Sequence, residues 1–294
     1  MAENRVDELE IPGAWHTLDV SGWRGPVLVV GANDSGKSTF ARYLYTRLLE
    51  PHARVGFLDA DIGQSSLGLP ATISIALNQD EHEAVFPPRG ARRVCFVGSN
   101  TPRGCTATIL VGLYQALLFS LHAQVQAMVV DTSGFVDPAS GGTRLKWAKV
   151  ALFRPCTVVA LQQGQELEPL LAPLRHLPRV RLVELSVCPA VRARTREERR
   201  AHRAVSYRQY FEGARRIPLP YRQLAVFPSP HFAPPGRLLA LEGRDGFAVA
   251  LALLERASDN AVWLRTPWSG QGRVAALRLG DLCIDDETFQ DTPL

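Results

Sequence analysis

The segment Gly31-Ala32-Asn33-Asp34-Ser35-Gly36-Lys37-Ser38-Thr39 has the residue types and spacing of a phosphate cradle. Glycines at 31 and 36 let backbone N–H groups turn inward around phosphate oxygens with no Cβ in the way. A helix opening at Lys37 would present its positive end to the same anion. Lys37 can then reach the β- and γ-phosphates of a nucleoside triphosphate, and the Ser38 hydroxyl can ligate magnesium. Two carboxylates, Asp59 and Asp61, stand two residues apart at the end of an apolar run and so point the same way. One can hold magnesium through water and the other can take a proton from an attacking hydroxyl; a pair of solvated loop acids is the alternative. Asp131 closes a further apolar run, either as a magnesium ligand at one remove or as a cap of the next turn. Arg192, Arg196, Arg199 and Arg203, spaced by four, three and four, would share one helical face. That stripe suits phosphate, and its alternative is a solvated basic helix.

These groups need a scaffold, and the apolar pattern supplies one. Pro26–Val30 runs into the glycine-rich turn, and Arg54–Asp59, Arg93–Gly98, Ala127–Asp131, Cys156–Leu161 and Val180–Leu185 are short, nearly continuous apolar runs. Strands buried on both faces of a parallel sheet read this way. Helical patterns lie between them at Lys37–Leu49, Cys105–Ala123, Gly142–Leu152 and Gln165–Leu174, the last interrupted by Pro169 and Pro173. The alternation predicts a doubly wound α/β core. A polar, Arg-rich helix is expected from Arg192 to about Gly213. After the proline-containing stretch Ile217–Pro235, short strands are expected at Arg237–Leu241, Phe247–Leu254, Ala261–Thr266 and Gly272–Leu279. The expected organisation is an N-terminal arm (1–24), a P-loop domain including the Arg-rich helix (25–216) and a small β-rich domain (217–294).

Composition narrows the class. At 294 residues and 46% hydrophobic, the chain can bury a large core. No stretch approaches the ~18 apolar residues that span a bilayer, and the charged N-terminus lacks the apolar run of a signal peptide. A cytoplasmic protein with no membrane partner is expected. Five scattered cysteines without a close pair read as core thiols, so no zinc is expected. Of 33 basic residues only Lys37, Lys146 and Lys149 are lysines. A GC-rich genome explains the arginine bias as well as function does, but not the clustering between Arg179 and Arg222.

Four stretches together resemble the polynucleotide 5′-hydroxyl kinase family, P-loop kinases related to a pre-mRNA cleavage-factor subunit and to a kinase of ribosomal-RNA processing. They are the cradle ending Gly36-Lys37-Ser38-Thr39, and Leu58-Asp-Ala-Asp-Ile-Gly-Gln64 leading on to Pro70-Ala-Thr-Ile. The third is Phe96-Val-Gly-Ser-Asn-Thr-Pro-Arg-Gly104. The fourth is Val129-Val-Asp-Thr-Ser-Gly-Phe135, followed by Gly142-Thr-Arg-Leu-Lys146. The likeness covers roughly residues 11 to 213 and continues weakly into the C-terminal strands.

The resemblance implies roles by position. The family's hydroxyl-activating aspartate falls on Asp61, with Asp59 and Gln64 beside it. Its base-clasping TxGW loop falls on Thr132-Ser133-Gly134-Phe135, with Phe in place of Trp and Asp131 in place of the preceding Asn. Phe135 can stack on a base, or be plain core. Thr101 and Arg103 match a loop used near the acceptor strand. An Arg-rich lid before Tyr210-Phe211 matches the basic helix, with Arg199 the first and Arg203 the second choice for the contact on the phosphoryl group, and Arg192 or Arg196 a partner. Lys146 could touch phosphate or be a surface lysine. Trp15 and Trp23 could flank the nucleotide base, but packing of the N-terminal arm on the sheet is the expectation.

The expected reaction is transfer of the γ-phosphoryl of ATP, or another NTP, with Mg2+ to the 5′-OH end of RNA or DNA. A nucleotide-bound assembly factor without turnover and a kinase of a small hydroxylated metabolite are the competing readings.

Overall fold

The computed structural model describes residues 11–80, 85–154 and 156–294. In chain order the elements are α1 (Gly13–His16), β1 (Gly25–Gly31), α2 (Lys37–Leu48), β2 (Val55–Ala60), β3 (Thr72–Leu77), β4 (Arg92–Phe96), α3 (Thr106–His122), β5 (Ala127–Thr132), α4 (Gly142–Phe153) and β6 (Cys156–Gln162). Then follow α5 (Glu168–Leu174), β7 (Val180–Ser186), α6 (Arg196–Phe211), β8 (Arg215–Pro220), β9 (Ala225–Phe227), β10 (Arg237–Glu242), β11 (Ala248–Ala257), β12 (Ala261–Thr266), β13 (Ala276–Ile284) and β14 (Asp291–Pro293). The chain forms an α/β sheet flanked by helices and a second, largely antiparallel sheet. The first has the strand order β4-β3-β2-β5-β1-β6-β7.

By contact the chain divides into two compact units. The first holds the described residues up to Leu58, with Ala76–Ala91 and Leu117–Ala193. The second holds Asp59–Ile75, Arg92–Ala116 and Arg194–Leu294. The second unit therefore joins the C-terminal strands to the Arg-rich helix and to two internal segments. The first ten residues of the expected N-terminal arm lie outside the described residues.

In the first unit β1 pairs in parallel with β5 and with β6, and β6 with β7. Burial on both faces explains the unbroken apolar runs of β1, β5 and β6. β7 departs from that expectation: it is an edge strand with alternating exposure. Trp15 is buried, 4% exposed. Its ring meets Phe40 of α2 edge-on at 5.0 Å and lies 5.6 Å from Tyr43.

The second sheet runs β14-β13-β10-β11-β12-β8, with β9 pairing in parallel to β13. It is covered on both faces. Leu238 and Ala240 join Tyr207 and Phe211 of α6 in one core, whereas Leu239 and Leu241 join Leu264 and Leu277 in another. β8 runs into the start of the proline-containing stretch Ile217–Pro235. It is an edge strand paired only to β12, so Pro218 and Pro220 interrupt no central ladder. β3 was also missed: Thr72 and Ser74 break its apolar run, yet each is only 1% exposed.

Candidate active site

In the first unit, parallel register places Val29 of β1 opposite Asp131 of β5, so the loops after both strands leave the same end of the sheet. The loop after β1 closes tightly on itself. A Cβ on Gly31 would lie 2.4 Å from the Ser35 hydroxyl and 2.9 Å from the Leu161 carbonyl, which requires glycine there. Gly36 is the N-cap of α2 with a left-handed φ of 78°, a conformation natural to glycine. Lys37 is buried; its ammonium donates to the Ala32 carbonyl and, at 3.2 Å, to the Ser35 hydroxyl. Ser38 and Thr39 follow in the first turn of α2, half-buried, while Asn33 is exposed and Asp34 half-buried with φ 55°. This loop is a cradle that a side chain at position 31 would fill, the geometry a phosphate-binding loop needs.

The loop after β5 abuts the cradle. A Cβ on Gly134 would stand 2.0 Å from the Asn33 amide oxygen and 2.6 Å from the Asn33 nitrogen. The Thr132 hydroxyl donates to the Val29 carbonyl at 2.7 Å. Lys146 of α4 donates to that hydroxyl at 2.6 Å and also to the Ser133 carbonyl. Left between phosphate and surface by the sequence, Lys146 is only 1% exposed. It lies on the buried face of α4 with Leu145, Lys149, Val150 and Phe153, a helical pattern that could have marked it. Asp131 is 1% exposed, the Ser133 hydroxyl is buried with no hydrogen-bond partner, and Phe135 is half-buried. A buried, unsatisfied hydroxyl beside a phosphate-type loop fits a nucleotide or its ion as the missing partner.

The basic segment begins differently from expectation. Arg192 and Arg194 do not lie on the helix. α6 opens at Arg196 because Thr195 caps it: its side chain accepts from the Glu198 amide, and the Glu198 carboxylate accepts from the Thr195 amide. Arg192 instead follows Val191, whose Cγ2 would lie 3.2 Å from a Cβ on Gly36 of the cradle.

In the second unit Asp59 organises the acidic loop. It is 1% exposed, and Oδ1 accepts from the Asp61 amide at 3.1 Å. Oδ2 accepts from the Ser65 hydroxyl at 2.7 Å and from the amides of Ser66 and Leu67 at 2.6 and 2.8 Å. Burial outweighs these donors and raises its pKa. Asp61 is less buried. Its Oδ1 accepts from the amides of Gly63 and Gln64 at 2.9 and 3.0 Å, and its other oxygen has no hydrogen-bond partner among the described residues. Gly63 packs where a Cβ would come within 2.9 Å of the Asn100 carbonyl, so the acidic loop touches the loop bearing Thr101 and Arg103. Those two side chains are exposed.

Arg196, Arg199 and Arg203 keep their shared face on α6. The Gln64 amide donates to the Arg199 carbonyl at 3.3 Å, while its own oxygen is buried without a partner. Arg203 donates through Nε to Asp291 Oδ1 at 2.9 Å, and the Asn100 amide donates to Asp291 Oδ2. Sequence reasoning missed Asp291, Asn100 and Ser65. For Asp291 no local signal exists, since its partners are 88 and 191 residues away. The 97–104 loop is also held from below: the Asp281 amide donates to the Gly98 carbonyl at 2.7 Å, and a Cβ on Gly98 would fall 2.6 Å from the Gly280 Cα. The C-terminal sheet thus carries this loop and the basic helix together.

Among known proteins, the chain is 29% identical over 189 residues to the polyribonucleotide 5′-hydroxyl-kinase MJ1315 of Methanocaldococcus jannaschii, covering 64% of this chain and 51% of that protein. It is 28% identical over 218 residues to the protein CLP1 homolog of Arabidopsis thaliana, covering 69% of this chain and 48% of that one. The chain spans about half the length of the curated relatives it matches. In fold it is similar to the solved structure of a wild-type Clp1p–Pcf11p complex, with a TM-score of 0.66 at 16% identity over 90% of this chain and 76% of that one. The family model for the mRNA cleavage and polyadenylation factor CLP1 P-loop matches residues 31–213, a span that opens on the first glycine of the cradle and runs through the acidic loop to the end of the basic helix. The chain belongs to this CLP1 P-loop family.

Proposed function

We propose that the chain is a polynucleotide 5′-hydroxyl kinase that moves the γ-phosphoryl of ATP, or another NTP, to the 5′-OH end of RNA, with DNA ends as a second acceptor. The observation that carries this reading is Asp61, whose carboxylate is oriented through one oxygen by its own loop while the other oxygen is left to take a proton. Relatives named polyribonucleotide 5′-hydroxyl-kinase support RNA as the first acceptor.

In this reading Lys37 and the backbone amides of Gly31–Thr39 hold the phosphates. Ser38 and Asp131 would hold magnesium, which would supply charge neutralisation on the phosphate oxygens. Asp59, whose oxygens serve its own loop, shapes the 61–67 segment more than it holds the ion. Asp61 accepts the 5′-hydroxyl proton as that oxygen attacks the γ-phosphorus and ADP departs. Arg199 and Arg203 offset charge growing on the transferred group. Phe135 stacks the terminal base, and Gln64, Thr101, Arg103, Thr132, Ser133 and Gly134 form the acceptor surface. The reading places the chain in the cytoplasm, where ATP is supplied and five free thiols remain reduced. No helix among the described residues is long and apolar enough to cross a membrane.

The test is transfer of labelled γ-phosphate from ATP–Mg2+ to short 5′-OH RNA and DNA oligonucleotides. Label on 5′-OH ends alone, absent with Lys37→Ala and with 5′-phosphorylated oligonucleotides, is the expected result. Tight ATP binding with no label on any acceptor would refute the kinase reading.

A further inference from the structure

Asp291 stands in the last strand, its side chain 1% exposed, and divides its two oxygens between two partners. One takes Nε of Arg203, whose side chain is 16% exposed, and the other takes the Asn100 amide. Arg203 meets Asp291 through Nε, and no hydrogen bond of its two terminal nitrogens is seen among the described residues. A guanidinium gripped at Nε keeps its outer fork directed and unspent, the form in which arginine meets a phosphoryl group. Asn100 sits in the loop whose next residues are Thr101 and Arg103, and its carbonyl is the group that Gly63 of the acidic loop approaches. A carboxylate can accept at both oxygens at once, whereas an amide can accept at only one. β14 itself is tied to β13 in antiparallel register, Ile284 opposite Asp291, so the carboxylate rides on the sheet core.

We propose that Asp291 is a positioning residue that sets the outer fork of Arg203 and the 97–104 loop to one another. The inference rests on the kinase reading above, and makes Arg203 a lid arginine whose aim is fixed from outside its helix. The two elements then move as one piece, so acceptor placement and charge stabilisation on the phosphoryl group are coupled.

The experiment compares wild type, Asp291→Asn, and the exchange Asn100→Asp with Asp291→Asn, which restores one donor and one acceptor across each contact. Asp291→Asn should lower kcat about tenfold to a hundredfold with the KM for ATP unchanged, and the exchanged pair should recover most of it. Amide hydrogen exchange, which needs no turnover, should rise in both 97–104 and 196–211 for Asp291→Asn and return in the exchanged pair. Exchange that stays at the wild-type level in either segment, or a paired variant as impaired as the single one, would overturn the coupling. Where Asp291→Asn does not fold, Asn100→Ala leaves the Arg203–Asp291 pair in place; wild-type exchange in 196–211 would then sink the proposal. A wild-type chain that labels no acceptor refutes the kinase reading alone, while the exchange data still decide whether the two elements are joined.

Discussion

Gly134 meets Asn33 so closely that no side chain fits between them: a Cβ would stand 2.0 Å from the Asn33 amide oxygen and 2.6 Å from its Cα. The second contact is to backbone, which cannot swing aside as a side chain can. Gly134→Ala therefore has to shift the phosphate cradle or the loop after β5. The expected outcome is ATP binding weakened at least tenfold, about 1.4 kcal/mol, measured by calorimetric titration. Gly22→Ala, where a Cβ would find nothing within 4 Å, is the control and should bind as wild type.

Lys146 is a second test of the same loop. Its ammonium is buried and bonded to the Thr132 hydroxyl and the Ser133 carbonyl. Lys146→Met fills similar space but leaves the Ser133 carbonyl without this donor. Such a loss costs about 1–3 kcal/mol, read from urea denaturation. A change within about 0.5 kcal/mol, the range of a surface substitution, would mean that the lysine does not hold the loop.

What the sequence discloses, and what it withholds, follows from how far each interaction reaches. The cradle, β1 and α2 are legible because glycine spacing, an apolar run and a helical pattern lie side by side in some twenty residues. The start of α6 was misplaced at Arg192: Thr195 and Glu198 three residues later carry a capping signal, but the arginines at 192 and 194 extend the polar pattern and mask it. The role of Asp59 as a loop organiser was hidden, because a carboxylate accepting its own loop's amides and one facing a metal look alike in sequence. Asp291 lies beyond any local reading: only the folded second unit brings β14 to Arg203 and Asn100.

Burial pushes the Cys95 thiol up to about 12 and that of Cys156 up to about 11. A thiolate in either place would lose its hydration, so the folded chain holds these protons more tightly than the unfolded chain does. Stability from this source is full below the unfolded value near ~8.5 and is lost as pH rises toward the folded values. Unfolding midpoints in urea should therefore fall from pH 9 upward, and Cys95→Ala should lessen that slope. An identical slope in the variant would assign the alkaline loss to other groups. At pH 8 the half-buried Cys188 and Cys283 should be labelled by a thiol reagent before the three buried cysteines.

One substitution made two residues apart should give opposite results. Asp59 places three donors on a single oxygen and a fourth on the other. Asp59→Asn turns one of those oxygens into an NH2 group that faces donors, so the acidic loop should lose order and the chain about 1–3 kcal/mol of stability. Asp61 uses only Oδ1 for its own loop. Asp61→Asn can keep both of those bonds through its amide oxygen and place its NH2 where no described residue bonds, so the thermal midpoint should hold within about 1 °C. Yet the amide cannot take a proton, and transfer to a 5′-OH end should fall by about 10²–10⁴-fold. Matched loss of stability in the two variants would return Asp61 to a structural role. Full transfer by a stable Asp61→Asn chain would remove it from the chemistry.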